Sequence, residues 1–205
     1  MIESLENTLQ IVVLVICAGI SLYRAVAGQS RLWTIAVFFF GSWLLGDIYW
    51  LACLLFYDST PQISIISDLS WYASYIFLYL LLIRTAPLEA GMHKRFIVWI
   101  GPVLAALLAI FFMQWGEVLS NLIYASLMGL LMYAAIGRMA NKGFYRKQFF
   151  LTVLILIFCL LEYGLWISSC FWHTETLANP YYWFDFLLTA SFLIFLRAIR
   201  KAVSE

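Results

Sequence analysis

Of 205 residues, 65% are hydrophobic and only 11% charged. A soluble domain carries roughly 25% charged residues, so this chain lacks the polar surface to remain in water. A net charge of +1 gives no electrostatic footprint for nucleic acid. The composition implies an integral membrane protein whose first partner is the lipid bilayer.

Seven apolar runs approach or reach the roughly 20 residues that a spanning helix needs. They fall at 9–27, 32–56, 66–84, 97–115, 119–138, 147–171 and 181–199. Strands of a β-barrel would be about half as long and would alternate polar with apolar residues. The first run follows "MIESLEN", which is acidic, whereas a secretory signal opens on a basic region, so this run is read as a helix that stays. The expected fold class is all-α integral membrane, with seven transmembrane helices in one domain, 1–205.

Charge placement predicts the orientation. Arg24 and Arg31 lie between runs one and two, and Arg84, Lys94 and Arg95 between three and four. Arg138, Lys142, Arg146 and Lys147 lie between five and six, and Arg197, Arg200 and Lys201 follow the seventh. All twelve basic residues thus fall on one side. The positive-inside rule then predicts an outside N-terminus and a cytoplasmic C-terminus.

Cys17, Cys53, Cys159 and Cys170 all sit within predicted helices without a C-x-x-C pair, which suits small packing residues. Cys53 and Cys170 both fall near outer helix ends, which leaves a disulfide between them open.

An internal repeat is also expected. Asp47, Trp50, Asp68 and Arg84 recur in order as Glu162, Trp166, Asp185 and Arg197, at offsets of 115, 116, 117 and 113. Arg24 meets Arg138 at an offset of 114. Residues 9–84 therefore resemble 119–199, with 97–115 as a connector, a 3+1+3 parallel repeat of a kind used by some transporters. Chance matching among Trp-rich helices is the alternative.

Asp47 and Glu162 fall past the midplane of their runs. A charge near the bilayer centre costs roughly 2.5–3.5 kcal/mol on insertion scales, so both are expected to face the bundle interior or a wet cavity. Asp68 and Asp185 open their helices, where complementing the helix dipole is an equally good explanation. Trp43 and Trp50 flank Asp47 at i−4 and i+3, while Trp71, Tyr72 and Tyr75 follow Asp68 at i+3, i+4 and i+7. Trp166 follows Glu162 at i+4. Carboxylates ringed by aromatic faces suit an organic cation, through charge pairing and cation–π attraction. The candidate ligand-binding residues are Asp47, Asp68, Glu162, Asp185, Trp43, Trp50, Trp71, Tyr72 and Trp166. For Trp172, Tyr181, Tyr182 and Trp183 the interfacial aromatic belt is the preferred reading.

Other chemistries find less support. His93 falls in a predicted inner loop, and His173 lies outside near Glu175 without metal-ligand spacing. Run seven contains no lysine for a retinal Schiff base, and no nucleophile elbow, P-loop or dinucleotide fingerprint occurs. No metal or cofactor is expected. Paired carboxylates leave intramembrane hydrolysis open, because like charges raise one another's pKa.

The stretches "FFFGSWLLGDIYWLACLLF" and "SDLSWYASYIFLYLLLIR" resemble the seven-helix membrane sensor domains found ahead of bacterial diguanylate cyclases. Gly46 and Asp47 match the family's Gly-Asp in its second helix, and Asp68, Trp71 and Tyr72 approximate the acid-aromatic opening of its third. The stretch "WFDFLLTASFLIFLRAIR" is a weaker echo. The family often carries Pro-Ser before the helix 3 acid, where this chain has "ISIISD". The resemblance implies a sensory module in a bacterial plasma membrane. Only a few residues follow the seventh run, so an output would belong to a separate cytoplasmic signalling partner.

The leading expectation is a receptor-like protein binding a small ligand in an outer-facing cavity. A small-solute or proton-coupled transporter is the first alternative, with Gly41, Gly46, Gly129 and Gly137 allowing close packing or flexing. An intramembrane lipid-modifying enzyme is the second.

Overall fold

Long apolar runs leave the backbone no partner but itself, and the chain answers with helices. The computed structural model describes residues 2–57, 65–85, 92–140 and 146–203. These form α1 (Ile2–Gly28), α2 (Arg31–Tyr57), α3 (Ile65–Thr85), α4 (Ile100–Phe112), α5 (Val118–Met139), α6 (Arg146–Phe171) and α7 (Pro180–Val203). Short 3-10 turns span Met92–Lys94 and Phe96–Trp99, and no strand occurs among the described residues. Lys142 lies outside them. Helices α1, α2, α3, α5, α6 and α7 are long and apolar enough to cross a bilayer, so this is a helical, multi-pass membrane protein.

Two boundaries differ from expectation. The first helix begins at Ile2, not near residue 9. Glu3 sits in its first turn, where an acid complements the positive end of the dipole, and Glu6, Asn7 and Gln10 are buried against the bundle. The acidic segment is therefore a packed helical face. Run four yields only a 13-residue α-helix. The Phe112 carbonyl that ends it accepts from Trp115 N (2.9 Å) and Gly116 N (3.2 Å) in the following turn and from the Asn121 side chain of α5 (3.0 Å), which caps it from another element.

Helices α1, α2 and α3 pack side by side, as do α5, α6 and α7. The two triplets face each other, with α1 against α7 and α3 against α5, and α4 lies against α5. The α1–α2 connection is only Gln29 and Ser30, with Gln29 in the left-handed region at φ 46°. The α4–α5 contact is close because it is built from small residues: a Cβ on Gly129 would lie 3.4 Å from the Ala105 methyl.

The core is aromatic. Phe39, Phe40, Phe158, Phe192 and Phe195, from α2, α6 and α7, are all fully buried. Their rings meet at 4.8–6.4 Å, several edge to face, the geometry that aromatic quadrupoles favour. This plug separates two unlike ends. At one end Arg138 of α5 and Gln148 of α6 both bond Thr85 of α3, each at 3.0 Å, and Arg24 lies over Trp33. At the other end the acids gather. The four cysteines are free thiols, so no Cys53–Cys170 disulfide forms.

Candidate functional site

Helix α2 supplies Trp43, Asp47 and Trp50 on one face, as their i, i+4, i+7 spacing requires. Asp47 is only 2% exposed. The Trp71 indole N–H of α3 donates to its Oδ1 at 3.1 Å. Gly46 makes this bond possible, because a Cβ there would lie 2.6 Å from Trp71 Nε1. The Trp50 indole donates to Glu3 Oε1 of α1 at 3.2 Å, closing the α1–α2 side.

Glu162 of α6 is 3% exposed. Its Oε2 accepts from two phenols, Tyr75 of α3 at 3.0 Å and Tyr124 of α5 at 3.5 Å. Trp166, one turn further on, stacks on Tyr124 with centroids 4.6 Å apart. Asp185 of α7 accepts from the Gln10 amide at 3.1 Å, and the same nitrogen reaches Thr189 at 3.1 Å.

The helix-dipole explanation divides the remaining two acids. Asp68 does lie in the first turn of α3, where it also accepts a 3.4 Å bond from Ser120 of α5. Asp185 lies beyond the first turn of α7. That helix is capped by Asn179, whose Oδ1 accepts from Tyr181 N at 2.9 Å, with Pro180 opening the helix. Asp185 is therefore a buried interior acid.

These groups converge on one cavity of about 650 Å³. All nine candidate residues line it: Asp47, Asp68, Glu162, Asp185, Trp43, Trp50, Trp71, Tyr72 and Trp166. Seven acids do so (Glu3, Asp47, Asp68, Glu117, Glu162, Glu175 and Asp185) of the eleven in the chain. No described lysine or arginine joins them. Its mouth holds the exposed segment Trp172–Glu175 together with Glu117. Its floor is Trp43, whose ring packs on Phe192 at 5.1 Å and Phe158 at 5.5 Å.

Several residues depart from expectation. Trp172, Tyr181 and Tyr182, read as belt residues, also line the cavity, whereas Trp183 is 56% exposed and does not. Belt and pocket use the same residue types at the same depth, so the sequence does not separate them. Gly41 has nothing within 4 Å of a notional Cβ and makes no close contact. The α1 contribution of Glu3, Asn7 and Gln10 was missed, although their i, i+4, i+7 spacing was a usable signal. Tyr124 was missed as well, and Tyr75, expected beside Asp68, bonds Glu162 instead, a partner distant in sequence.

Three atoms of cavity-lining side chains make no hydrogen bond within the described protein: Trp43 Nε1, Asp47 Oδ2 and Glu162 Oε1. Buried polar groups are nearly always paired, and leaving one unmade costs about 1–3 kcal/mol, more when it is charged. Chemically the site offers acceptors and aromatic faces for a cation. Among the described residues, no group of three or more His, Cys, Asp and Glu side chains could hold a metal ion. Helix α7 extends past residue 199 and so does include Lys201, but that side chain lies at the opposite end, over Phe150, outside the cavity.

No family model, curated protein or solved structure matches this chain.

Proposed function

We propose that the chain is a seven-span protein, N-terminus outside and C-terminus cytoplasmic, that binds a small organic cation in an outward-opening cavity and acts as a sensor-like receptor. The observation that carries this reading is the cavity's composition: seven acids, no described lysine or arginine, and walls of tryptophan and tyrosine. Carboxylates are not left buried without positive partners at no cost. A bound cation would supply the partner, and ring faces would add roughly 0.5–2 kcal/mol of cation–π attraction. The separation of acids at one end from Arg24, Arg84, Arg138 and Arg200 towards the other supports the orientation. Helix α4 with its 3-10 lead-in, Phe96–Phe112, reaches about 28 Å, close to a bilayer's hydrocarbon core, which supports a seventh span.

A sensor reading follows the resemblance noted in the sequence. Ligand binding would alter how α3, α6 and α7 pack, and a cytoplasmic partner would read the change. Binding drives such a shift only through different affinities for the two packings.

A transporter is the second reading, favoured by one specific observation. Exchanging α1, α2, α3 with α5, α6, α7 maps the helix neighbours onto themselves: α1–α7 becomes α5–α3, and α2–α7 becomes α6–α3. This supports the parallel repeat, with Asp47 and Glu162 as counterparts.

The test is thermal unfolding of detergent-purified wild type and Asp47→Asn against amines, divalent ions, nucleosides and lipids. Amines should raise the melting temperature of the wild type and not of Asp47→Asn. Stabilisation by a different class alone would refute the reading. Amine uptake into proteoliposomes would decide for transport over sensing.

A further inference from the structure

The acid-rich cavity has a counterpart of opposite charge at the far end of the bundle. A hollow of about 640 Å³ opens where α6 begins and α7 ends. The described residues that line it are Phe150 of α6 and Arg197, Arg200 and Lys201 of α7. Positions i, i+3 and i+4 share one helix face, with Cβ atoms roughly 5–6 Å apart, so three long cationic side chains can reach one anion. All three are exposed and open to a ligand. Phe150 forms the opposite wall, with Lys201 Nζ 5.8 Å from its ring centroid.

The surface beside the hollow narrows the anion further. One turn before Arg197, the same face of α7 carries Leu193 and Ile194, 47% and 41% exposed. On α6, Ile157 shares the face of Phe150 at i+7 and is also exposed. In a membrane protein such faces meet acyl chains. The hollow therefore lies at the foot of an apolar, lipid-facing strip. Arg197 stands nearest that strip, where its stem can lie along apolar surface while the guanidinium reaches the headgroup level. Guanidinium groups bind phosphate through paired, charge-assisted hydrogen bonds. A soluble anion would use the cations and leave the strip idle. A zwitterionic lipid would bring its own ammonium among three positive charges.

We propose that the α6–α7 hollow is a binding site for an anionic phospholipid, whose phosphate sits among Arg197, Arg200 and Lys201 while its chains lie along Leu193, Ile194 and Ile157. Basic pockets between spanning helices recognise lipid headgroups in this way. The site is separate from the acid-rich cavity and does not depend on what that cavity binds.

The experiment is native mass spectrometry of the full-length protein in detergent, titrated with dioleoyl phosphatidylglycerol or dioleoyl phosphatidylcholine. The two share their chains and differ in head charge. Each cation near an anionic lipid is worth about fivefold in affinity. Phosphatidylglycerol should therefore bind at least about tenfold more tightly than phosphatidylcholine. Arg197→Gln/Arg200→Gln should remove most of that margin. Arg31→Gln/Arg84→Gln makes the same charge change at exposed positions on α2 and α3, and should leave the margin in place. Excess glycerol 3-phosphate should not displace phosphatidylglycerol from the wild type. Equal binding of the two lipids would overturn the proposal. An equal loss in both double variants would overturn the site, because the preference would then belong to the basic end as a whole. Displacement by glycerol 3-phosphate would overturn the lipid assignment in favour of a soluble phosphate ester.

Discussion

Gly46 and Gly41 stand on the same helix, yet adding one methyl to each should have opposite effects. At Gly46 the new Cβ would lie 2.6 Å from Trp71 Nε1 and 2.9 Å from its Cδ1. The indole must retreat, which costs about 1–3 kcal/mol for overpacking in a close-packed core. Retreat also breaks the 3.1 Å bond to Asp47. Stranding that buried oxygen adds roughly 1–3 kcal/mol. Alanine returns about 1 kcal/mol over glycine in a helix interior. The net cost is about 3 kcal/mol. For a chain of this size, with roughly 2–4 °C per kcal/mol, Gly46→Ala should melt about 6–12 °C below wild type. At Gly41 nothing lies within 4 Å, so only the helix term applies. Gly41→Ala should match wild type or exceed it by roughly 2–4 °C. Thermal unfolding of both variants in one detergent decides the matter. A Gly46→Ala protein as stable as Gly41→Ala would refute the claim that Gly46 exists to admit Trp71.

Gln10→Leu keeps the volume but leaves Asp185 and Thr189 without the amide that bonds both. It should cost about 1–3 kcal/mol and lower the melting temperature by several degrees, whereas Leu9→Met on the outward, apolar face of the same helix should change it little. The proposed orientation predicts unequal labelling in intact cells. Glu175→Cys, at the cavity mouth, should react with a membrane-impermeant maleimide, and Lys201→Cys only after the membrane is opened. The four native cysteines are buried, so background should be low. The reverse pattern would invert the topology.

How much of this was legible in the sequence depended on whether a residue's surroundings lie on its own helix. Asp47 and Glu162 were legible because a carboxylate within a long apolar run has to find an interior partner, and both are buried in the cavity. Trp43 and Trp50 followed from helical spacing around Asp47. The inward face of α1 was not seen, because "MIESLEN" has the composition of a solvated flank. Its burial is settled by bonds to α2 and α7, far along the chain. The side-chain cap on the last carbonyl of α4 likewise comes from Asn121 of α5, and the two phenols on Glu162 come from α3 and α5. Such contacts leave no local periodicity to read.

The most direct test of the cation-binding claim is a calorimetric titration of the purified protein with 2-phenylethylamine and with 2-phenylethanol, nearly the same in shape and differing in charge. Loss of one desolvated charge pairing weakens binding by about tenfold or more. The account therefore predicts measurable affinity for the amine, at least tenfold weaker binding of the alcohol, and loss of the difference in Asp47→Asn. If the alcohol binds as tightly as the amine, the cavity recognises an apolar ring and its carboxylates do not bind cations.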